Sequence, residues 1–267
     1  MTGTAAMAVE TFAAVFAANP VYYVILLLLM TIGGILIVVS VHLIPVGGAP
    51  AAMAQATGVG TGTTQLAAGT GLTGMLTAVS AFAVSGDILI SVVLGGIGSS
   101  IMIAIVMLIS NVVYIYGVGI PLASGKAIRD PITKDRQDTY VSKGTEGHGV
   151  PTAAFVSGIV GGFIGGVGGS LIYLILVMIY AEKTGFEIVY VKTAAAIIVS
   201  VSLFFVNAVI ASYNIGGTIE GYYDPKFKKL PKAVIVSAAV TLICSALCLF
   251  TFILIGETIF TQIGGII

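Results

Sequence analysis

Long apolar runs alternate with short polar connections along this chain. A helix needs about 20 consecutive, mostly apolar residues to cross the hydrocarbon core of a bilayer. Five runs clearly meet this length. A sixth run, Thr64–Ala83, is richer in Gly and Thr than those five and gives a weaker signal. The pattern predicts an all-α, polytopic membrane protein with about six transmembrane helices in one domain (1–267), after an N-terminal extension (1–20). The five strong runs are Val21–Ile44, Ile88–Gly117, Val150–Tyr180, Ile188–Ile215 and Lys232–Ile255.

Composition supports this class and excludes others. Hydrophobic residues make up 58% of the chain and charged residues 8%, whereas soluble proteins have about 45–50% and about 25%. So few charges cannot solvate the surface of a water-soluble globule. The formal net charge is zero, so bulk electrostatics give no reason to expect a nucleic-acid partner.

The charged residues indicate where the chain leaves the membrane. Nine of the 22 fall in residues 126–146, and six more fall in residues 220–232. With six spans these two segments lie on the same side, and together they hold nine of the eleven basic residues. Basic loops favour the cytoplasmic side. We therefore expect a protein of the cell membrane with cytoplasmic loops at 123–149 and 219–231 and with both termini outside.

Two pairs of segments resemble each other and suggest related halves. The segment Asn111–Gly117 resembles Asn207–Gly216, and the Gly-Gly pair of Ile32–Ile35 resembles that of Val160–Phe163. These similarities favour a three-plus-three repeat in parallel orientation. Chance similarity among apolar helices is the alternative. Repeats of this kind place transport sites between their halves.

The uncharged segment 45–63 is unusually rich in Gly and Thr. Irregular backbone at membrane depth is tolerated only where protein or a water-filled cavity satisfies its polar groups. One interpretation is a re-entrant segment whose carbonyl and hydroxyl oxygens line a path for sodium or a substrate. The other is a flexible cytoplasmic loop.

Polar side chains near the ends of apolar runs are further candidates, because such groups are costly in a membrane and often functional. Asp87 fits a solvated helix N-cap equally well. No carboxylate lies clearly at mid-span, which argues against an ion site built from this chain alone. The candidate residues for an ion or substrate path are His42, Gly58, Gly60, Thr61, Gly62, Asp87, Asn111, Asn207, Asn214 and Glu220.

Two other groups of residues suggest contacts rather than chemistry. Small residues spaced by four let membrane helices approach closely, and Gly161, Gly162, Gly165, Gly166 and Gly169 follow this spacing. We expect them to pack against another helix of this chain or of a partner. The mixed charges around Lys134, Asp135 and Arg136 suggest a loop that docks a soluble partner or is simply solvated. We identify neither a catalytic constellation nor a metal-binding motif.

Four long runs carry a resemblance to a known family: Val41–Gly62, Gln65–Gly74, Asp130–Asp138 and Gly144–Pro151. They resemble the D-subunit family of tetrahydromethanopterin S-methyltransferase. The resemblance implies a membrane complex that transfers a methyl group from methyl-tetrahydromethanopterin to coenzyme M and exports sodium. The corrinoid would lie on the A component of that complex, and the C and E components would share the membrane part. The resemblance implies no cofactor on this chain, although coenzyme M could bind near segment 45–63.

Two alternatives remain open. A stand-alone secondary transporter would move its solute without partners. A purely structural subunit would use its glycines for packing and leave every ion ligand to its partners. The lack of a mid-span carboxylate favours the structural alternative over the transporter.

Overall fold

In the described part of the chain, six α-helices form one bundle. The computed structural model describes residue 14 and residues 16–45, 61–119, 121–124, 128–137, 147–183, 189–215 and 226–263. All statements below concern these residues. The helices are α1 (Pro20–Leu43), α2 (Thr61–Ser85), α3 (Ile88–Val112), α4 (Thr152–Lys183), α5 (Val189–Ile215) and α6 (Lys226–Ile263).

The helices confirm the predicted all-α, multi-pass membrane architecture. Five of them contain apolar stretches long enough to cross a bilayer, and a shorter apolar stretch, Gly69–Ser85, belongs to α2. The weak sixth run is thus helical. The largest boundary differences concern α6, which begins at Lys226 and not at Lys232, and ends at Ile263 and not at Ile255. The helix therefore includes residues 226–231, which the charge pattern had assigned to a loop.

Helix α4 lies at the centre and contacts each of the other five helices. It runs antiparallel to α1, since Gly168 lies against Gly33 while Ser157, nearer its start, donates a hydrogen bond to the Leu43 carbonyl at the end of α1. It also runs antiparallel to α3. The end of α1, the end of α3 and the start of α4 therefore meet at one end of the bundle.

The connection between α3 and α4 contains the short elements of the described chain other than α-helices. A π-helix, Val113–Val118, extends α3 and ends at Gly119, whose φ of 72° suits a residue without a Cβ. Strand β1 (Ala123–Ser124) then pairs antiparallel with β2 (Gly147–His148), with Ala123 opposite His148. This pair holds the base of the connection next to the start of α4.

The segments behind the expected repeat lie in different parts of the bundle. Asn111 is in α3 and Asn207 is in α5, while the two Gly-Gly pairs are in α1 and α4. Because α1 and α4 are antiparallel, a repeat that relates them would be inverted, so the expected parallel orientation is wrong for this pair. The division into two halves of three helices stays a prediction.

Candidate membrane-embedded polar site

A fully buried amide links α5 to α6 inside the bundle. The Asn207 Oδ1 atom accepts hydrogen bonds from the Ser237 hydroxyl at 2.5 Å and from the Thr241 hydroxyl at 3.1 Å. Its Nδ2 atom donates to the Leu203 carbonyl, 2.9 Å away and one turn earlier in α5. Asn207, Ser237 and Thr241 are all inaccessible to solvent. We call these three residues the Asn207 cluster.

The Asn207 cluster also touches α1, because a glycine leaves room for it. A Cβ atom added at Gly34 would lie only 2.9 Å from both the Cβ and the Cγ2 of Thr241. Without that atom, α1 and α6 approach closely enough to enclose the Thr241 side chain. The cluster therefore lies where α1, α5 and α6 meet.

A stripe of hydroxyl groups continues along α6. Ser237, Thr241 and Ser245 are spaced by four residues, so they share one helix face, and all three are fully buried. The Ser245 hydroxyl has no hydrogen-bond partner among the described residues. Sequence reasoning missed this stripe, although the spacing of hydroxyl residues in an otherwise apolar run was a usable signal.

The chemistry of the cluster is that of a neutral oxygen site. It offers one amide oxygen and two hydroxyls, which are the kind of ligand that hard cations accept. The polar atoms of Asn207 already bond to protein atoms, and the Ser237 and Thr241 hydroxyls donate to it. Such a network is self-contained and joins helices.

Two other predicted residues, Asn111 and Asn214, also bond to backbone. Asn111 donates from Nδ2 to the Val150 carbonyl at 2.9 Å and accepts at Oδ1 from the Val150 amide at 2.6 Å. Its side chain thus binds both polar groups of Val150 and joins the end of α3 to the start of α4. Asn214 donates to the Lys229 carbonyl at 2.9 Å, which joins the end of α5 to the start of α6. Both residues act as links between consecutive helices.

His42 and Asp87 occupy opposite kinds of environment. His42 is fully buried near the end of α1, and its Nδ1 atom lies 2.7 Å from the Val38 carbonyl. Because a carbonyl can only accept, this contact places a proton on Nδ1. Asp87 is exposed and caps α3, since its carboxylate accepts from the Ile90 amide at 2.8 Å.

The predicted packing glycines all contact helices of this chain. Gly161 and Gly165 lie against Ser40 of α1, and Gly162 and Gly166 lie against Ser99 of α3. Gly169 faces Phe204 of α5 and Met75 of α2. The glycines therefore let α4 approach several neighbours at once, which explains its central position.

The predicted docking residues belong to a compact loop. Lys134, Asp135 and Arg136 are exposed, and Lys134 has a φ of 68°, which is unusual for a residue with a side chain. The loop is organised by Asp130, which sequence reasoning did not select. Its Oδ1 atom accepts from the Ile132 and Thr133 amides at 2.7 and 3.0 Å.

The second oxygen of Asp130 connects the loop to the membrane helices. Oδ2 accepts from the Ala153 amide at 3.0 Å, in the first turn of α4. Burial raises the pKa of this carboxyl. Two effects that lower the pKa together outweigh burial: the hydrogen bonds from the Ala153, Thr133 and Ile132 amides, and the positive charge of Lys134. The pKa of Asp130 is therefore below its usual value, and the group is ionised at neutral pH.

Gly58, Gly60 and Glu220 lie outside the described residues, as does most of the segment 45–63. Thr61 and Gly62 begin α2. Among the described residues, no three His, Cys, Asp or Glu side chains come together in a way that could hold a metal ion.

Comparisons with known proteins agree with one another. The family model for the D subunit of tetrahydromethanopterin S-methyltransferase matches residues 23–241. Three curated proteins that bear the name of this D subunit are similar to the chain. The protein of Methanosarcina barkeri is 51% identical over 91% of this chain and 97% of its own length. That of Methanopyrus kandleri is 50% identical over 84% and 95%. That of Methanothermobacter thermautotrophicus is 51% identical over 82% and 92%. The chain belongs to the D-subunit family of tetrahydromethanopterin S-methyltransferase.

Proposed function

We propose that this chain is a membrane subunit of a sodium-translocating methyltransferase complex, in which it is the rigid scaffold beside the sodium path. The complex would transfer a methyl group from methyl-tetrahydromethanopterin to coenzyme M. Membership of the D-subunit family supports the first part of this proposal. The second part is supported by the way in which the bundle uses its polar groups.

The scaffold role is supported mainly by the Asn207 cluster, whose hydrogen bonds are made to other groups of this chain. Asn207 places a fully buried amide oxygen within the described spans, yet its Oδ1 atom already accepts two hydrogen bonds. The five apolar spans and the shorter stretch in α2 contain no Asp or Glu. A sodium site here would therefore lack a compensating negative charge, so we assign the charged ligands to partner subunits.

The scaffold proposal also assigns roles to partners. The C and E components would complete the membrane part, and the A component would carry the corrinoid, so this chain itself binds no cofactor. Coenzyme M, if it contacts this chain, would do so near segment 45–63. The basic loops would face the cytoplasm and the termini would face outward, in accordance with the positive-inside rule.

Coupling between methyl transfer and sodium movement requires two states of the complex that differ in their affinity for sodium. In this chain α4 is the element best placed to pass on such a change, because it contacts each of the other five described helices. Its glycine contacts leave little room for independent bending. The bundle would therefore move as a unit when a partner shifts against it.

The first test is purification of the chain in mild detergent from its native membrane, followed by mass spectrometry and a corrinoid absorption spectrum. We expect other methyltransferase subunits and a corrinoid to co-purify. A lone, colourless chain, from a preparation that preserves other membrane complexes, would contradict the proposal. Sodium or solute uptake into liposomes that contain only this chain would then support a stand-alone transporter.

A second test separates a scaffold from an ion path. In the purified complex, Asn207→Ala should lower thermal stability while leaving the sodium concentration for half-maximal methyl transfer unchanged. The matched control is Asn214→Ala, because Asn214 bonds at the edge of the bundle. A sodium requirement that rises several-fold in Asn207→Ala, but not in Asn214→Ala, would show that the cluster lines the path.

A further inference from the structure

The loop of residues 128–137 presents apolar and charged side chains together at the end of the bundle where α4 begins. Ile128 is 71% exposed and Ile132 is 54% exposed, although neither belongs to a membrane-spanning helix. Arg129, Lys134 and Arg136 are exposed beside them. Exposed apolar groups surrounded by polar ones are typical of binding surfaces. We call Ile128, Arg129, Ile132, Lys134, Asp135 and Arg136 the loop surface.

The loop surface is held in one conformation by its own backbone. The Asp130 amide donates to the Asp135 carbonyl and the Gln137 amide donates to the Ile128 carbonyl, each at 2.9 Å. The Arg129 guanidinium and the Lys134 ammonium also donate to carbonyls within the loop. An ordered loop loses little conformational entropy when it binds a partner, which favours binding.

The backbone conformation of Lys134 is a second indication that the loop surface has a defined shape. It is the only residue other than glycine with a positive φ in the described part of the chain. A residue with a side chain is strained there, and such strain persists where the surrounding structure enforces it, often at binding sites. Here the Lys134 amide donates to the Asp130 carbonyl at 2.9 Å, which closes the turn.

The mixture of charges identifies the kind of partner. A surface that binds anionic lipid carries a cluster of about four to eight basic residues. The loop surface has three cations but also the exposed Asp135. Such a pattern fits a protein surface that places carboxylates opposite the cations and an apolar side chain against the two isoleucines.

We propose that the loop surface docks an acidic, partly apolar face of a soluble protein domain and that Asp130 fixes this docking site to α4. The inference rests on the proposed function, since the docked domain would belong to another subunit of the same complex. Asp130 bonds the loop through one oxygen and the Ala153 amide through the other. Movement of the docked domain would therefore act directly on the start of the central helix.

Crosslinking tests the docking site in the intact complex. Ile132→Cys, in a chain whose Cys244 and Cys248 are replaced by Ala, would carry a benzophenone label. We expect the label to crosslink to an acidic segment of another subunit. The control label at Val84→Cys, where the native side chain is 91% exposed at the end of α2, should not reach that segment. Products with lipid alone at position 132 would overturn the proposal.

Substitutions provide an independent measurement. Ile128→Ser with Ile132→Ser removes the apolar contacts while leaving the backbone bonds of the loop available, and Arg136→Glu reverses one charge. Each should weaken retention of the soluble subunit, measured by native mass spectrometry, about tenfold or more. Added salt should release it from the wild-type complex. The matched charge control is Lys228→Glu, exposed near the start of α6.

The outcomes separate this inference from the proposed function. Unchanged retention in both loop variants, within a complex that still performs sodium-dependent methyl transfer, would overturn the docking site alone. Absence of methyltransferase subunits from the wild-type preparation would overturn the proposed function. In that case the crosslinks at position 132 would still decide whether the loop surface binds an acidic protein.

Discussion

The side chain of Asn207 in α5 accepts a hydrogen bond from the Ser237 hydroxyl in α6, with 2.5 Å between the two oxygen atoms. Both residues are fully buried. Within a bilayer, apolar side chains pack against lipid about as well as against one another, so polar bonds between helices help to decide which helices associate. The pair therefore fixes the position of α6 against α5.

Breaking the Asn207 cluster should destabilise the bundle. We expect Asn207→Ala to lower the free energy of unfolding by about 1–2 kcal/mol, because Ser237 and Thr241 lose their shared acceptor and a cavity remains. Thermal unfolding in detergent would measure the change. Ser237→Ala should cost less, since it removes one donor only.

Ser202 provides the control for this prediction. Its hydroxyl bonds only to the Ile198 carbonyl of its own helix and is exposed, so Ser202→Ala should leave stability nearly unchanged. If Ser202→Ala and Ser237→Ala had equal effects, the bond between helices would contribute nothing measurable.

A methyl group added at Gly166 should be more harmful than one added at Gly69. At Gly166 the new Cβ would lie 2.6 Å from the Gly95 carbonyl oxygen, so α3 and α4 would have to separate. We expect Gly166→Ala to destabilise the bundle by about 1–3 kcal/mol. At Gly69 nothing lies within 4 Å, so Gly69→Ala should be neutral or slightly stabilising because alanine favours helix. Unfolding midpoints of the two variants test the contrast, which equal midpoints would refute.

Replacing Asp130 should loosen the loop and change how stability depends on pH. At neutral pH we expect Asp130→Asn to cost about 1–3 kcal/mol, because the amide cannot match all three backbone donors. The exposed Asp135→Asn is the control and should cost little.

The pH dependence follows from the lowered pKa of Asp130. A carboxyl with a lower pKa in the folded state stabilises the protein fully above its unfolded pKa, near 3.8. That contribution is lost as the pH falls through the folded pKa. The wild type should therefore lose stability more steeply than Asp130→Asn in this acidic range. If the unfolding midpoints of the wild type and of Asp130→Asn fell by the same amount between about pH 5 and pH 3, this role of Asp130 would be contradicted.

Asn111 should limit local unfolding where the end of α3 meets the start of α4. Both polar groups of Val150 bond to this side chain, so Asn111→Ala should leave the Val150 amide without its bond. We expect hydrogen exchange in a peptide covering residues 147–155 to accelerate about tenfold or more. Asn214→Ala should not affect this peptide, and an equal acceleration in both variants would point to global destabilisation.

The sequence by itself determined the helices and their approximate ends. In a bilayer the backbone must bond within each helix, so an apolar run of sufficient length specifies a span without any distant contact. The glycine spacing in α4 likewise predicted close packing, because the consequence of a missing Cβ is local. Charge clusters located the connections, but α6 extended to Lys226 in a segment that charge alone had assigned to a loop.

Only the tertiary structure decided which polar groups meet. The selection of Asn207 followed from its apolar surroundings, but its pairing with Ser237 depends on how α5 and α6 are aligned, which no local pattern encodes. Asp130 looked like one charge among many in a loop, yet it bonds to Ala153, 23 residues later. Such contacts depend on the relative positions of whole helices. The sequence therefore specified the spans, and the folded bundle assigned its polar residues to their roles.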